Sequence, residues 1–444
     1  MASEPAVAPV SAFDDHNPPA RELLDDCVHC GFCLPACPTY QLWGQEADSP
    51  RGRILLMDAA ARGQLTLNAE LVQHWDACLG CMACVTACPS GVRYDRLIEQ
   101  TRQQVERHHR RTPLDRARRA AVFALFPHPR RMRAAAALLV LYRTTGLRRL
   151  LHRTGSLAAL APAIPSAAVT ARVPEHLPAT TPGAPRRRVV LLTGCVQQGL
   201  FGDVNAATAR VLSAYGCAVH TPRAQGCCGA LELHAGREAA AVARGRRLLD
   251  LLDRDPEALI AVNSAGCGSV LEEYGELLGG ERAAAFAARV RDVSEILAEL
   301  GPPSPDALHP LPLRLAYHDA CHLAHAQGVR EQPRTVLAAI PGLDLVALAE
   351  ADTCCGSAGI YNLVQPAAAA ALGRRKAEHI RAAAPDALAA ANPGCLLQIA
   401  AHLDGAGGIP TFHPVELLDA SLRGIPAATL LARRRKLQGL PPGR

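Results

Sequence analysis

The chain has 444 residues, of which 49% are apolar, 20% charged and 4% aromatic, and its formal net charge is +6. That length leaves room for about two to four domains, and the composition excludes a disordered or collagen-like chain. The longest apolar run near mid-chain, Ala134 to Tyr142, is nine residues. A membrane span needs about twenty, so no crossing helix is expected.

The first twenty residues carry Asp14, Asp15 and early prolines. They lack the basic start and apolar stretch of a secretory signal. A cytoplasmic chain is the expectation, and in that compartment thiols stay reduced. The 17 cysteines then point to metal ligation rather than to disulfides.

Eight cysteines fall in the first ninety residues in two blocks, Cys27, Cys30, Cys33, Cys37 and Cys78, Cys81, Cys84, Cys88, each closed by a proline. Both blocks read C-x2-C-x2-C-x3-C-P, the run of bacterial two-cluster ferredoxins. Three thiolates two residues apart let one loop wrap three corners of a cubane, and the fourth cysteine, on the following turn, is directed to the other cluster. This spacing predicts one 4Fe-4S cluster on Cys27, Cys30, Cys33 and Cys88, and a second on Cys78, Cys81, Cys84 and Cys37. Zinc ribbons, the competing explanation, use C-x2-C pairs across longer gaps and need no tandem triplets. His29 lies inside the first block, where it either tunes the cluster or simply sits at the surface.

From Arg102 to Arg153 the pattern is helical, cut by Pro113, Pro127 and Pro129, with 14 Arg, no Lys and two acids. This local net of +12 leaves −6 for the rest of the chain. A solvated connector is the favoured reading over an amphipathic segment resting on an anionic membrane surface. Nucleic acid is not an expected partner, because the aromatic residues that stack bases are nearly absent here. Residues 156–188, rich in Ala and Pro, read as a linker.

The second half repeats itself. Cys195, Cys227, Cys228 and Cys267 recur as Cys321, Cys354, Cys355 and Cys395 at offsets of 126, 127, 127 and 128 residues. Four cysteines in register indicate a duplicated domain. Short apolar segments such as Ala258–Val262 alternate with Ala-rich helical stretches such as Ala239–Leu252, which predicts a parallel α/β sheet in each copy. The cysteines stand where strands or loops open into helices, so each copy is expected to gather four thiolates at the carboxyl edge of its sheet. Cys217 is left over and reads as a buried small apolar residue. His318, Asp319, His322 and His325 lie near the second set, either as proton carriers or as hydrogen-bonding structure.

The order of two-cluster block, basic connector and two Cys-Cys-Gly domains resembles a family of respiratory iron–sulfur subunits. The likeness is carried by Cys27-Val-His-Cys-Gly-Phe-Cys33, Pro50-Arg-Gly-Arg-Ile54, Cys88-Pro-Ser-Gly-Val-Arg-Tyr94, Asn205–Leu212, Gly226-Cys-Cys-Gly-Ala230 and Cys354-Cys-Gly-Ser-Ala-Gly359. Its members include glycolate dehydrogenase (glycolate oxidase) iron–sulfur subunits, which the chain resembles over nearly its whole length. The resemblance implies that FAD on separate partner subunits oxidises glycolate to glyoxylate, and that this chain passes electrons toward a quinone-type membrane acceptor from the cytoplasmic face. No G-x-G-x-x-G fingerprint opens a βαβ unit here, in keeping with a flavin held elsewhere. Subunits acting with lactate or glycerol-3-phosphate dehydrogenases, and heterodisulfide reductases acting on thiols, are alternatives within reach of the same motifs. Against the last, Val270 and Gln398 stand where those relatives end each domain in C-x2-C. Each copy thus offers four thiolates, so the two copies together either hold one or two further conventional clusters or serve as docking surfaces with vestigial cysteines.

The resulting expectation is an α/β chain in five parts. A small α+β ferredoxin-like module spans 15–100, a helical connector 101–155 and a linker 156–188. Two Cys-Cys-Gly domains follow at 189–305 and 312–430.

Overall fold

The computed structural model describes residues 10–144, 171–304, 306–403 and 408–441. The end of the basic segment and the start of the Pro/Ala-rich stretch, at 145–170, lie outside the described residues. The chain forms two compact units, one of residues 1–117 with 231–240, the other of 118–230 with 241–444.

In the first unit the regular elements among the described residues are helices, Arg21–Asp25, Pro38–Trp43, Pro50–Ala61, Ala69–Asp76, Ala83–Thr86 and Tyr94–His108. The strands of an α+β module are therefore not seen. The sequence around the cysteine loops favours helix starts instead. Pro38 and Pro50 occupy first-turn positions, where a missing N–H costs nothing. Ser49 Oγ accepts from Gly52 N–H at 3.0 Å and Asn68 Oδ1 from Leu71 N–H at 2.8 Å, capping two helices. Trp75, Met57, Leu97 and Ile98 form the core. The last helix runs to His108, past the expected boundary at 100, and residues 231–240 join this unit through Arg102 Nη1–H donating to His234 O at 3.0 Å.

Among the described residues the second unit carries nine strands: β1 (His176–Leu177), β2 (Arg187–Leu191), β3 (Cys217–His220), β4 (Leu259–Val262), β5 (Val290–Asp292), β6 (Leu313–His318), β7 (Leu343–Val346), β8 (Ala387–Ala390) and β9 (Thr411–Phe412). They form two sheets, in the orders β1-β3-β2-β4-β5 and β7-β6-β8-β9. Every pairing is parallel except β1 with β3. Leaving β1 aside, the two orders superimpose as 3-2-4-5 on 7-6-8-9, so the duplication extends to topology. β1 comes from the stretch expected to be linker, which thus covers a sheet edge.

The basic segment is not purely solvated. It forms helices Pro113–Leu125 and Pro129–Thr144, and Met132 and Ala136 of the second are buried in the same core as β2, β4, β6 and β8. At the other end, helix Ala427–Gln438 extends the second repeat beyond 430. Its buried Arg434 pairs with Glu416.

Candidate metal centres

In the first unit the two cysteine blocks are related by a constant offset of 51 residues, a small repeat that the larger one overshadows. Equivalent positions share a backbone conformation: His29 and Gly80, like Gly31 and Met82, all have φ between +54° and +90°. Left-handed residues between the cysteines curl each loop around a common centre. Non-glycine residues adopt this conformation only at a cost, and His29 and Met82 meet it here.

Cys27, Cys30, Cys33 and Cys88 line one pocket of about 420 Å³ of non-atom space, partly open to solvent. Cys37, Cys78, Cys81 and Cys84 line another of about 300 Å³, and Cys84 also borders the first. Thiolate donors in such numbers fit iron–sulfur ligation. The pockets differ in exposure: Cys30 is exposed, whereas Cys37, Cys78, Cys81 and Cys84 are buried.

The buried pocket is arranged to hold negative charge. Arg53, 1% exposed, donates from Nε to His74 O at 2.6 Å and from Nη2 to Thr39 Oγ1 at 3.1 Å, and pairs with Asp48 at 3.4 Å. Thr39 Oγ1 is in turn 3.3 Å from Cys37 Sγ. Tyr94 Oη donates to Cys78 Sγ at 3.6 Å and Gly80 N–H at 3.3 Å. Burial alone pushes the Cys78 thiol up, but Arg53, Arg102, the Gly80 amide and Tyr94 together outweigh it and hold it below the usual range. In the open pocket, His29 Nδ1 is 4.0 Å from Cys27 Sγ, and His29 O accepts from Arg51 Nη1–H at 2.9 Å.

Each sheet of the second unit brings its four cysteines together. Cys195 opens the helix after β2 and Cys267 stands in the first turn of the helix after β4. Cys321 follows β6, and Cys395 sits in the first turn of the helix after β8. These are the carboxyl ends of adjacent strands at which the strand order reverses, where α/β sheets bind ligands. The doublets enter from the next loop. Their glycines, Gly229 at φ +90° and Gly356 at φ +88°, let the loop approach the following helix. A Cβ there would stand 3.0 Å from Ala241 O or 2.8 Å from Ala369 O.

The thiols touch in the same sequence in both repeats. In the first, Cys195 meets Cys227, and Cys228 meets Cys267. Hydrogen bonds from Cys195 and Cys228 hold Cys227 well below the usual thiol range. In the second, Cys321 Sγ lies 4.0 Å from Cys354 Sγ, and Cys355 meets both Cys354 and Cys395. Asn392 Nδ2–H donates to Cys395 Sγ at 3.5 Å. The two sites are joined as well, a relation the sequence did not reveal. Ala265 N–H donates to Ala391 O at 3.1 Å, and Gly266 N–H to Asn392 Oδ1 at 3.4 Å, so the helix starts bearing Cys267 and Cys395 abut.

The remaining candidates sort themselves by partner. Asp319 is held by both Nη atoms of Arg334 at 2.7 Å. His322 Nδ1 is 3.1 Å from Ser269 Oγ. His325 accepts from Arg330 Nη2–H at 2.8 Å and lies 3.2 Å from Asp352 O. His318 turns a nitrogen toward thiols, within 4.8 Å of Cys355 and Cys395 Sγ. Gln398, where a fifth cysteine would stand, donates to Ala369 O at 3.0 Å. Cys217 lies on β3 with no exposure, and burial pushes its thiol up to about 11.

An eight-cysteine, two-pocket module joined to a duplicated cysteine-rich α/β domain defines an iron–sulfur protein of the electron-transfer class. Comparison with known families agrees: residues 23–92 match the 4Fe-4S dicluster domain, and 189–272 and 315–400 the cysteine-rich domain. Residues 114–168 match the linker region of the glycolate oxidase iron-sulfur subunit. The chain is 35% identical over 418 residues to the probable glycolate oxidase iron-sulfur subunit of Bacillus subtilis, covering 90% of this chain and 94% of that one. With the glycolate oxidase iron-sulfur subunit of Escherichia coli it shares 35% over 418 residues, 91% and 95% of the two chains. Lactate utilization protein A of Geobacillus thermodenitrificans is 29% identical over 239 residues, 52% of this chain and 98% of that protein. The chain belongs to the family of glycolate oxidase iron–sulfur subunits.

Proposed function

We propose that this chain is the electron-carrying subunit of a complex in which FAD-bearing partner subunits oxidise glycolate to glyoxylate, and that it delivers the electrons to a quinone-type acceptor. The observation that carries this reading is the pair of cysteine pockets in the first unit. In this reading Cys27, Cys30, Cys33 and Cys88 ligate one 4Fe-4S cluster, and Cys37, Cys78, Cys81 and Cys84 the other. Such clusters, when bound, supply one-electron carriers. The chain's own residues set their surroundings. Arg53, Arg102, the Gly80 amide and Tyr94 stabilise negative charge at the buried pocket. The open pocket, flanked by exposed Val28 and Phe32, suits exchange with a partner subunit. Cys195, Cys227, Cys228 and Cys267, with Cys321, Cys354, Cys355 and Cys395, are assigned to further metal sites on their mutual contacts.

Among the described residues no helix is long and apolar enough to cross a membrane, so a membrane acceptor would be met at the surface. The test is made on the assembled complex. Cys30→Ser and Cys81→Ser should abolish glycolate-driven reduction of a quinone analogue while stopped-flow flavin reduction by glycolate persists. Turnover that survives loss of both clusters would overturn the reading.

A further inference from the structure

The two repeats share topology and cysteines but differ in what else faces the thiols. His318 ends β6 with no exposure. Its Nδ1–H donates to Ala351 O at 2.8 Å, which fixes the tautomer and leaves the Nε2 lone pair bare. Nε2 has no hydrogen-bond partner among the described residues. Leaving a buried polar atom unsatisfied is costly, so such an atom asks for an explanation.

The explanation lies in front of it. A ring nitrogen of His318, Cys355 Sγ and Cys395 Sγ all lie within 4.8 Å of one another, and with Nδ1 engaged by Ala351 the nitrogen left for a ligand is Nε2. On a tetrahedral zinc ion, bonds of about 2.3 Å to sulfur and about 2.05 Å to nitrogen put two thiolates roughly 3.8 Å apart and a thiolate and an imidazole roughly 3.6 Å apart. Movements of up to about 1 Å therefore close the site. A metal-ligating histidine characteristically donates its other N–H to a carbonyl or carboxylate, as His318 does to Ala351.

The first repeat has no counterpart. Counting back the 126 residues that relate Cys321 to Cys195 places Leu192 at the position of His318, and Leu192 is equally buried. A second difference points the same way. Gly245 and Gly373, 128 residues apart, align the helices after the doublets and set Lys376 against Leu248. Lys376 is 2% exposed, donates to Glu350 O, and faces Cys354 and Cys355.

We propose that His318 Nε2 is a metal ligand, and that the second repeat holds a mixed imidazole–thiolate centre with Cys355 and Cys395 where the first offers thiolates alone. This rests on the reading of the repeat cysteines as metal ligands. A neutral imidazole and a buried ammonium lower the negative charge around the metal. For a redox-active iron they raise the reduction potential, as imidazole ligation does elsewhere. For a single zinc ion they complete a donor set of the Cys/His type.

The experiment uses the full chain purified without oxygen, as wild type, His318→Leu and Cys355→Ser, with iron, zinc and sulfide counted per chain. Zinc K-edge absorption and pulsed EPR of the reduced protein, with and without 15N-histidine, complete it. The expected result is loss of the same metal in both variants, with wild-type nitrogen coordination that responds to the label. Zinc lost with a nitrogen–sulfur edge identifies a single ion, and iron lost with a nitrogen coupling identifies an iron centre. Metal lost in Cys355→Ser but retained in His318→Leu, with no nitrogen coordination in wild type, overturns the histidine ligand alone. Metal unchanged in both variants overturns the underlying cysteine reading too. The wild-type spectra need no substitution, so misfolding of a variant cannot decide the matter.

Discussion

His413 Nε2–H donates to the backbone carbonyl of Asn263 at 3.0 Å, tying the start of a helix in the second repeat to the carboxyl end of β4 in the first. The same ring caps its own helix, its Nδ1 accepting from Val415 N–H at 3.2 Å. The Val415 contact requires the neutral imidazole, because a protonated Nδ1 cannot accept, and burial pushes the ring's pKa down to about 3.

The sign of the pH dependence follows. Because the folded value lies below the ordinary 6.5, the stability His413 contributes is complete above pH 6.5. It is lost as pH falls toward 3, at about 1.4 kcal/mol per unit. His413→Asn keeps a capping oxygen but cannot take up the proton. Urea unfolding without oxygen should show wild type losing about 2 kcal/mol more than the variant between pH 7 and pH 5. Parallel losses in the two proteins would remove His413 as the acid-sensitive link.

Arg53→Met leaves Asp48 buried beside an uncharged neighbour and takes a fixed positive charge from the Cys37 and Cys78 thiolates. Breaking a buried pair in this way costs about 3–5 kcal/mol. In protein that retains its clusters, the buried cluster's reduction potential should fall, because the added electron loses a compensating charge. Arg53→Lys should shift it less. Potentiometric EPR checks both, and a potential that rises or stays fixed in the methionine variant contradicts the assignment.

Gly356→Ala places a methyl 2.8 Å from Ala369 O at a φ of +88°, and Gly229→Ala one 3.0 Å from Ala241 O. Positive φ alone costs an alanine about 1 kcal/mol or more, and the close oxygen adds to it. Both variants should lose about 2–4 kcal/mol in total, with Gly356→Ala the worse. Denaturant midpoints measure the order, and an alanine tolerated at either position would mean that the doublet loop does not sit against its helix.

Met132→Ala tests the docking of the basic segment on the duplicated domain. Met132 is 4% exposed within the main core, whereas Leu138 on the same helix is 66% exposed. Truncating a buried methionine costs about 2–5 kcal/mol. Leu138→Ala should change stability by less than about 0.5 kcal/mol, and equal effects would show that the helix packs otherwise.

Much of this was readable from the cysteines. Their offsets announce the duplication, and the strands end where Cys195, Cys267, Cys321 and Cys395 begin helices. The role of the basic segment was not readable, because Met132 and Ala136 are two small or flexible apolar residues among arginines, and their burial depends on a surface supplied by distant chain. The β1 strand is two residues long and takes its partner from β3, so no local pattern betrays it. His318 was visible as a polar neighbour of Cys321. That its Nε2 is the nitrogen left bare depends on the Ala351 carbonyl, which arrives from a loop 33 residues away.

Lysine stands at only two positions in the chain, 376 and 436. Lys436 is exposed while Lys376 is buried against the second set of thiols. Of these two lysines, a reagent selective for primary amines therefore finds Lys436 and not Lys376 in the closed protein. Its reaction at Lys376 becomes a clock for the opening of that repeat, read by mass spectrometry at one residue without any engineered probe.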